Sequence, residues 1–276
     1  MADRVKVEIA DGVAQVTLCR PEKKNALDAD MFDGILAAAR RLGDDRSIRA
    51  VVLSGEGDSF SAGLDVSSLG DMASGDLNPE SESIQEATRD LSRDGANRAQ
   101  QLAWLWHELP VPVIAAVQGV AFGGGLHIAL GADIRFIAPD ARLAFVEITW
   151  GLVPDLSGTQ SLRRLVPLDV AKKLIFSGEV ISGTKAVAIG LGTELSDQPL
   201  RDALEFARTI ARQSPDAVRA AKRLLNDAAL VPLAEGLANE MSASAGLMGG
   251  TNQIEAVVAK LQKRPATFGD PEQGSS

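Results

Sequence analysis

Tyrosine is absent from this chain of 276 residues, cysteine occurs once, at Cys19, and histidine twice, at His107 and His127. A single cysteine excludes an internal disulfide framework, and one cysteine with two histidines is a poor donor set for zinc. Aromatic residues make up only 4%, and 28 Lys and Arg against 37 Asp and Glu leave a net charge of -9. Such a surface does not attract nucleic acid nonspecifically, and it offers few rings for base stacking. No apolar run approaches the roughly 20 residues that cross a bilayer, and no basic segment followed by an apolar stretch opens the chain. The expectation is a cytoplasmic protein with a small-molecule ligand, no nucleic-acid partner and no membrane partner.

Forty-five per cent of the residues are hydrophobic, enough for one large core. Val5–Ile9 and Val13–Leu18 alternate apolar and polar residues around Asp11-Gly12, a dipeptide that favours a two-residue hairpin turn. A charged loop, CRPEKKNALD, carries the local basic cluster Arg20, Lys23 and Lys24. It ends at Asp28, which predicts an N-cap for a helix over Ala29–Leu42 stopped by Gly43. Ala50–Leu53 reads as a strand that opens into glycines and small residues. The segment from Ser67 to Ser92 is rich in Ser, Asp, Glu and Gly and predicts a mobile surface loop with short helices, a candidate lid that shapes a pocket. A helix is then expected from Thr88 to Glu108.

The centre of the chain is VPVIAAVQGVAFGGGLHIALGADIRF, residues 111–136. The β-type run Val113–Val117 meets Gly119 and the cluster Gly123, Gly124 and Gly125, and Leu126–Leu130 resumes with helical character. A strand, a glycine turn and a helix start leave backbone N–H groups without intrahelical partners, open to an approaching oxygen. Further strands are expected at Asp133–Ile137 and Arg142–Phe145, then a loop through Gly151, Pro154 and Gly158 into a helix ending near Pro167. The last third predicts helices at 171–176, 184–189, 200–212, 215–225, 233–247 and 252–262. Neither a G-x-G-x-x-G nucleotide loop nor a G-x-S-x-G nucleophile elbow is present.

Four segments in order, NAL at 25–27, FSAGLDV at 60–66, VQGVAFGGGLHIALGADIR at 117–135 and EITWGLVPDLSGTQSL at 147–162, resemble the crotonase, or enoyl-CoA hydratase/isomerase, superfamily. That resemblance implies an α/β fold, a β-β-α superhelical core over residues 1–200. It also implies a helical C-terminal region, 201–276, that supports homotrimers or dimers of trimers. It implies acyl-CoA substrates, no cofactor beyond the coenzyme A of the substrate, and a thioester oxygen held by two backbone N–H groups. The matching positions are Ala62 and Gly124, and a donor at a helix N-terminus suits developing negative charge. For coenzyme A contacts the resemblance points to Arg20, Lys23, Lys24, Ala26, Leu64 and Asp65, with Lys263 and Phe268 near a segment that reaches a neighbour's ligand.

Hydratases of this superfamily carry two glutamates, one after the glycine triplet and one after the next hairpin. Here the second is Glu147, but the first position holds His127. Asp155, eight positions past Glu147, makes a pair similar to that of the dienoyl-CoA isomerase branch, although that branch has an aspartate where His127 stands. Two carboxylates suit proton removal at one end of a conjugated system and return at the other if their pKa values are separated. The expectation is therefore double-bond isomerisation by Glu147 and Asp155, with His127 contacting substrate or orienting a carboxylate. The alternatives are hydration of a 2-enoyl-CoA and noncatalytic acyl-CoA binding.

Overall fold

The computed structural model describes residues 4–65 and 90–271. Strands β1 (Val5–Ala10) and β2 (Val13–Leu18) pair antiparallel across Asp11 and Gly12, whose φ values of 51° and 76° match a turn with two left-handed residues. Helix α1 (Ala29–Asp44) is capped by Asp28, whose Oδ1 accepts from Met31 N–H at 2.9 Å. Gly43 does not stop it. Leu42 is buried and holds the last turn on the core, so the helix runs to Asp44 and ends where Asp45 becomes extended.

Strand β3 (Ala50–Gly55) follows, and after it helix α2 (Gln101–Glu108), which is shorter than the expected 88–108. Gly95 at φ 85° breaks the pattern, and Asn97 and Gln100 each accept the other's backbone N–H through their side chains at 3.0 Å. Those side chains substitute for helical bonds and delay the helix. The expected loop at 67–92 lies mostly outside the described residues.

Next come β4 (Val113–Val117), β5 (Val120–Phe122), α3 (Gly124–Gly131), β6 (Ile134–Ile137), β7 (Arg142–Ala144) and α4 (Gly158–Leu162). The remaining elements are α5 (Leu168–Ser177), β8 (Ile181–Ser182), α6 (Gly183–Ala188), β9 (Glu194–Leu195), α7 (Pro199–Ala211), α8 (Pro215–Asp227), α9 (Leu233–Leu247) and α10 (Thr251–Leu261). Six strands form one sheet in the order β1-β2-β3-β4-β6-β9, parallel except for β1, and β5-β7-β8 form a second. The expected glycine turn after β4 therefore contains a strand of its own, and the chain steps from one sheet to the other within three residues.

Strand β4 is buried on both faces, which is why its sequence is continuously apolar. Val113, Ala115 and Val117 face the main core with Leu126, Ile128 and Trp106, while Ile114 and Ala116 pack with Ala203 and Ala207 of α7. Burying each large aliphatic side chain contributes about 1.5–3 kcal/mol, so this strand is the rigid axis from which the glycine segment projects. At the other extreme, α9 buries none of its residues against this chain, and Leu233, Leu237 and Met241 are exposed along it. No helix among the described residues is long and apolar enough to cross a membrane.

Candidate active site

Two loops leave the C-terminal ends of β3 and β5 and meet. Ser61 bridges Ala121 of β5 and Leu64 bridges Leu27, both in parallel fashion. Asn25 holds this junction from beneath: fully buried, its Nδ2 donates to Glu56 O at 3.0 Å and Ser59 O at 2.8 Å, and its Oδ1 accepts from Arg20 N–H at 2.8 Å. Ser61 Oγ adds a bond to Asn25 O at 2.8 Å and accepts from Gly63 N–H at 3.2 Å. Neither role follows from residue type, since a polar residue in a charged loop ordinarily reads as solvated. Asn25→Ala is expected to leave three backbone partners unmatched, one buried and two part-buried, and lower stability by about 1–3 kcal/mol, measured by urea unfolding.

The bridge decides which N–H groups face the ligand. Leu27 N–H donates to Gly63 O at 2.8 Å and Asp65 N–H to Leu27 O at 3.1 Å, so Leu64, between them, turns its own N–H to the opposite side. That group finds no acceptor among the described residues. Ala62 N–H, by contrast, donates to Lys24 O at 2.8 Å. The expected assignment of Ala62 as an oxyanion donor is corrected on this ground: Lys24, held at φ 50°, presents its carbonyl to Ala62 and occupies the group. The second expected donor differs. Gly124 opens α3, its N–H finds no acceptor among the described residues, and a Cβ on Gly63 would stand only 3.5 Å from the Gly124 nitrogen. Leu64 and Gly124 thus offer unpaired donors from adjoining loops, one at a helix N-terminus.

The acidic groups gather beside them. Glu147 begins a single 3-10 turn after β7, and its Oε1 lies 3.1 Å from where a Cβ on Gly123 would sit. Gly123 itself takes φ 47°, so a side chain there is disfavoured by backbone and by Glu147 alike. Burial pushes the Glu147 carboxyl above the usual range, and the nearby Asp155 charge raises it further. Partial burial also raises Asp155, an exposed residue set between the buried Pro154 and Leu156 on the loop after Glu147.

His127 is completely buried in α3, and burial pulls its pKa down to about 3, so the ring is neutral at ordinary pH. Its Nε2 lies 3.2 Å from Glu147 Oε1, but without hydrogen-bond alignment, and both ring nitrogens lack partners among the described residues. The ring fills the space left by Gly158, where a Cβ would fall 2.6 Å from Cδ2 and Nε2. Ser157, one residue earlier, takes a left-handed φ of 59° and buries an Oγ with no partner among the described residues. Sequence reasoning passed over Ser157. Its signal is a non-glycine residue in a left-handed conformation beside the acid/base loop.

The expected coenzyme A residues divide. Lys23 and Lys24 are exposed and form no ion pair among the described residues, so they are free to meet phosphate. Arg20 is not: its Nη1 pairs with Asp65 Oδ2 at 2.6 Å and Asp28 Oδ2 at 3.5 Å and donates to Ala26 O at 3.3 Å. The expected phosphate role of Arg20 is therefore replaced by a structural one, since removing either partner of this largely buried pair strands the other charge. Ala26 and Asp65 belong to the same internal frame. Lys263 and Phe268 do not join this chain's cluster. Gly269 and Asp270, next to Phe268, are tied to Arg49 at 3.0 Å and 2.8 Å, at the N-terminal end of β3, whereas the site lies beyond its C-terminal end.

A family model described as Enoyl-CoA hydratase/isomerase matches residues 8–271. The chain belongs to this family. Among relatives of this hydratase/isomerase chain, 2,3-dehydroadipyl-CoA hydratase of Escherichia coli is 35% identical over 261 residues, covering 93% of this chain and 94% of that protein. Mitochondrial methylglutaconyl-CoA hydratase of Mus musculus is 32% identical over 264 residues, covering 93% and 79%. The crystal structure of an enoyl-CoA hydratase from Polaromonas sp. JS666 superposes with a TM-score of 0.84 at 28% identity over 96% of this chain and 99% of that one. The fold is that of the crotonase superfamily, and the paired loops with their unshared N–H groups sit on a family scaffold rather than on a chance glycine cluster.

Proposed function

We propose that this enzyme shifts a carbon–carbon double bond in an acyl-CoA thioester, converting a 3,5-dienoyl-CoA to the 2,4-dienoyl isomer. The observation that carries the reading is the pair Glu147 and Asp155, both raised by burial, beside the N–H groups of Leu64 and Gly124. Leu64 and Gly124 hold the thioester oxygen. Asp155, the more exposed of the two, removes the proton at C2, and its electron pair moves onto that oxygen as the enolate forms. Glu147, deeper and raised by both burial and its neighbour's charge, arrives protonated and gives its proton at C6 as the electrons return. His127 stays neutral and leaves the pair to titrate alone. The coenzyme A of the substrate meets Lys23 and Lys24, no further cofactor takes part, and the bare apolar side of α9 serves self-association.

A second reading, hydration of a 2-enoyl-CoA with Glu147 holding the water, is favoured by the hydratase names of the relatives. Asp155→Asn separates the two. On the isomerase reading it lowers conversion of 3,5-dienoyl-CoA, followed by the ultraviolet change of the conjugated product, by about a hundredfold or more. If Asp155→Asn leaves that turnover intact while wild type consumes the 2-enoyl-CoA band, hydration replaces isomerisation. Tight CoA-ester binding without turnover of either substrate removes catalysis altogether.

A further inference from the structure

A cavity of about 630 Å³ lies at the far ends of the two helices that build the active site. Gly124 and Gly158 open α3 and α4 at the site, while Leu130 and Ala132 at the end of α3, and Ser161 and Arg163 at the end of α4, line this cavity. Three guanidinium groups face it: Arg135, Arg163 and Arg164. In a chain of net charge -9 this is a local reversal of sign.

None of the three forms an ion pair among the described residues. Arg135 is almost entirely buried; its Nε donates to Leu191 O at 2.8 Å and its Nη1 to Ala132 O at 2.5 Å, and its Nη2 makes no hydrogen bond among the described residues. Arg164 lies over the Trp104 ring, 5.3 Å from its centroid. Its Nη1 is 2.8 Å from His107 Nε2, and its Nε is buried without an acceptor among the described residues. Burial pulls His107 down to about 4, with the charges of Arg164 and Lys222 adding to it, so His107 accepts from Arg164 as a neutral ring. One carboxylate, Asp133, lines the cavity with the three guanidinium groups, and both it and Asp94 are engaged elsewhere. Asp133 Oδ2 meets Lys222 Nζ at 2.8 Å and Val113 N–H at 2.7 Å, while Asp94 takes Trp104 Nε1 at 3.0 Å and Arg93 Nε at 3.1 Å.

We propose that this cavity binds the phosphate group of a small phosphorylated molecule, held by Arg135, Arg163 and Arg164 at a site separate from the acyl-CoA cleft. A guanidinium presents paired N–H donors that match phosphate oxygens, and a bound phosphate supplies the ion pair that none of the three arginines forms among the described residues. Asn226 and Ser161 supply neutral polar groups on the same wall, and the volume accommodates more than the phosphate alone.

The test titrates the full chain with inorganic phosphate, and separately with adenosine monophosphate, at constant ionic strength balanced with sodium chloride, reading heat and the tryptophan fluorescence to which Trp104 contributes. Saturable binding of one phosphate per chain is expected. Tighter binding of the nucleotide assigns the source to a phosphorylated metabolite, and equal binding assigns it to free phosphate. Arg163→Gln, at an exposed position, keeps the fold and weakens binding about tenfold or more, with Arg164→Lys, which keeps charge but loses the fork, weakened as well. The Lys23→Gln/Lys24→Gln double variant binds as wild type. The proposal is overturned if phosphate gives no saturable signal beyond chloride, if both arginine variants bind as wild type, or if binding disappears with Lys23 and Lys24 instead.

Discussion

Glu147→Gln is expected to lower turnover of a 3,5-dienoyl-CoA by about a hundredfold to ten-thousandfold, while affinity for the CoA ester changes only a few-fold. The amide keeps the size and shape of the carboxylic acid beside Gly123, so the loops that carry the Leu64 and Gly124 donors keep their positions. What it loses is the proton. Because the carboxyl is raised by burial and by Asp155, wild type holds that proton further toward neutral pH than an exposed glutamate does. The rate then has two limbs: it falls in acid as Asp155 becomes protonated, and it falls toward alkali as Glu147 loses its proton. The variant is expected to lose the Glu147 limb together with the rate. A variant that keeps turnover within tenfold, or keeps both limbs, would remove Glu147 from the proton transfer. A loss confined to KM would instead place Glu147 in binding.

The elements written in local chemistry are legible in the sequence alone. Asp11-Gly12 names its own turn, Asp28 its own helix cap, and the unbroken apolar run of β4 its burial on two faces. Family motifs locate the two loops of the site and the pair Glu147 and Asp155. They do not tell which amide in a loop is spent. Ala62 and Leu64 differ by two positions and look alike as donors in the sequence; the difference arises because Lys24, 38 positions before Ala62, turns a carbonyl onto one of them. Arg20 reads as a free cation for the same reason, since its partner Asp65 lies 45 positions away. Strand β5 is hidden by brevity: three residues between glycines carry too little period to separate a strand from a turn. The arginine-lined cavity is assembled from α2, α3, β6, α4 and α8, and no local pattern contains it.

Acid is expected to destabilise this protein through its two histidines, and His127→Gln is expected to remove one proton from that dependence. Unfolded histidine takes up a proton as pH falls through about 6.5. Folded His127 does not do so until about 3, and folded His107 not until about 4. Both pKa values are lowered in the folded state, so between those limits the unfolded state binds more protons and stability rises with pH. Each proton of difference corresponds to about 1.4 kcal/mol per pH unit. Glu147 and Asp155 act in the opposite sense: raised in the folded state, they contribute stability in acid that is lost as pH rises through their folded values. Urea unfolding of wild type and His127→Gln at several pH values from 6 to 4.5 isolates the histidine, because the carboxylates remain in both. The wild-type curve is expected to be steeper by about one proton. Equal slopes would mean that His127 is charged beside Glu147. That outcome also bears on the chemistry: an imidazolium 3.2 Å from Oε1 holds Glu147 as its anion, and an anion has no proton to deliver at C6. Glu147 can serve as the acid only if the ring buried beneath it stays neutral.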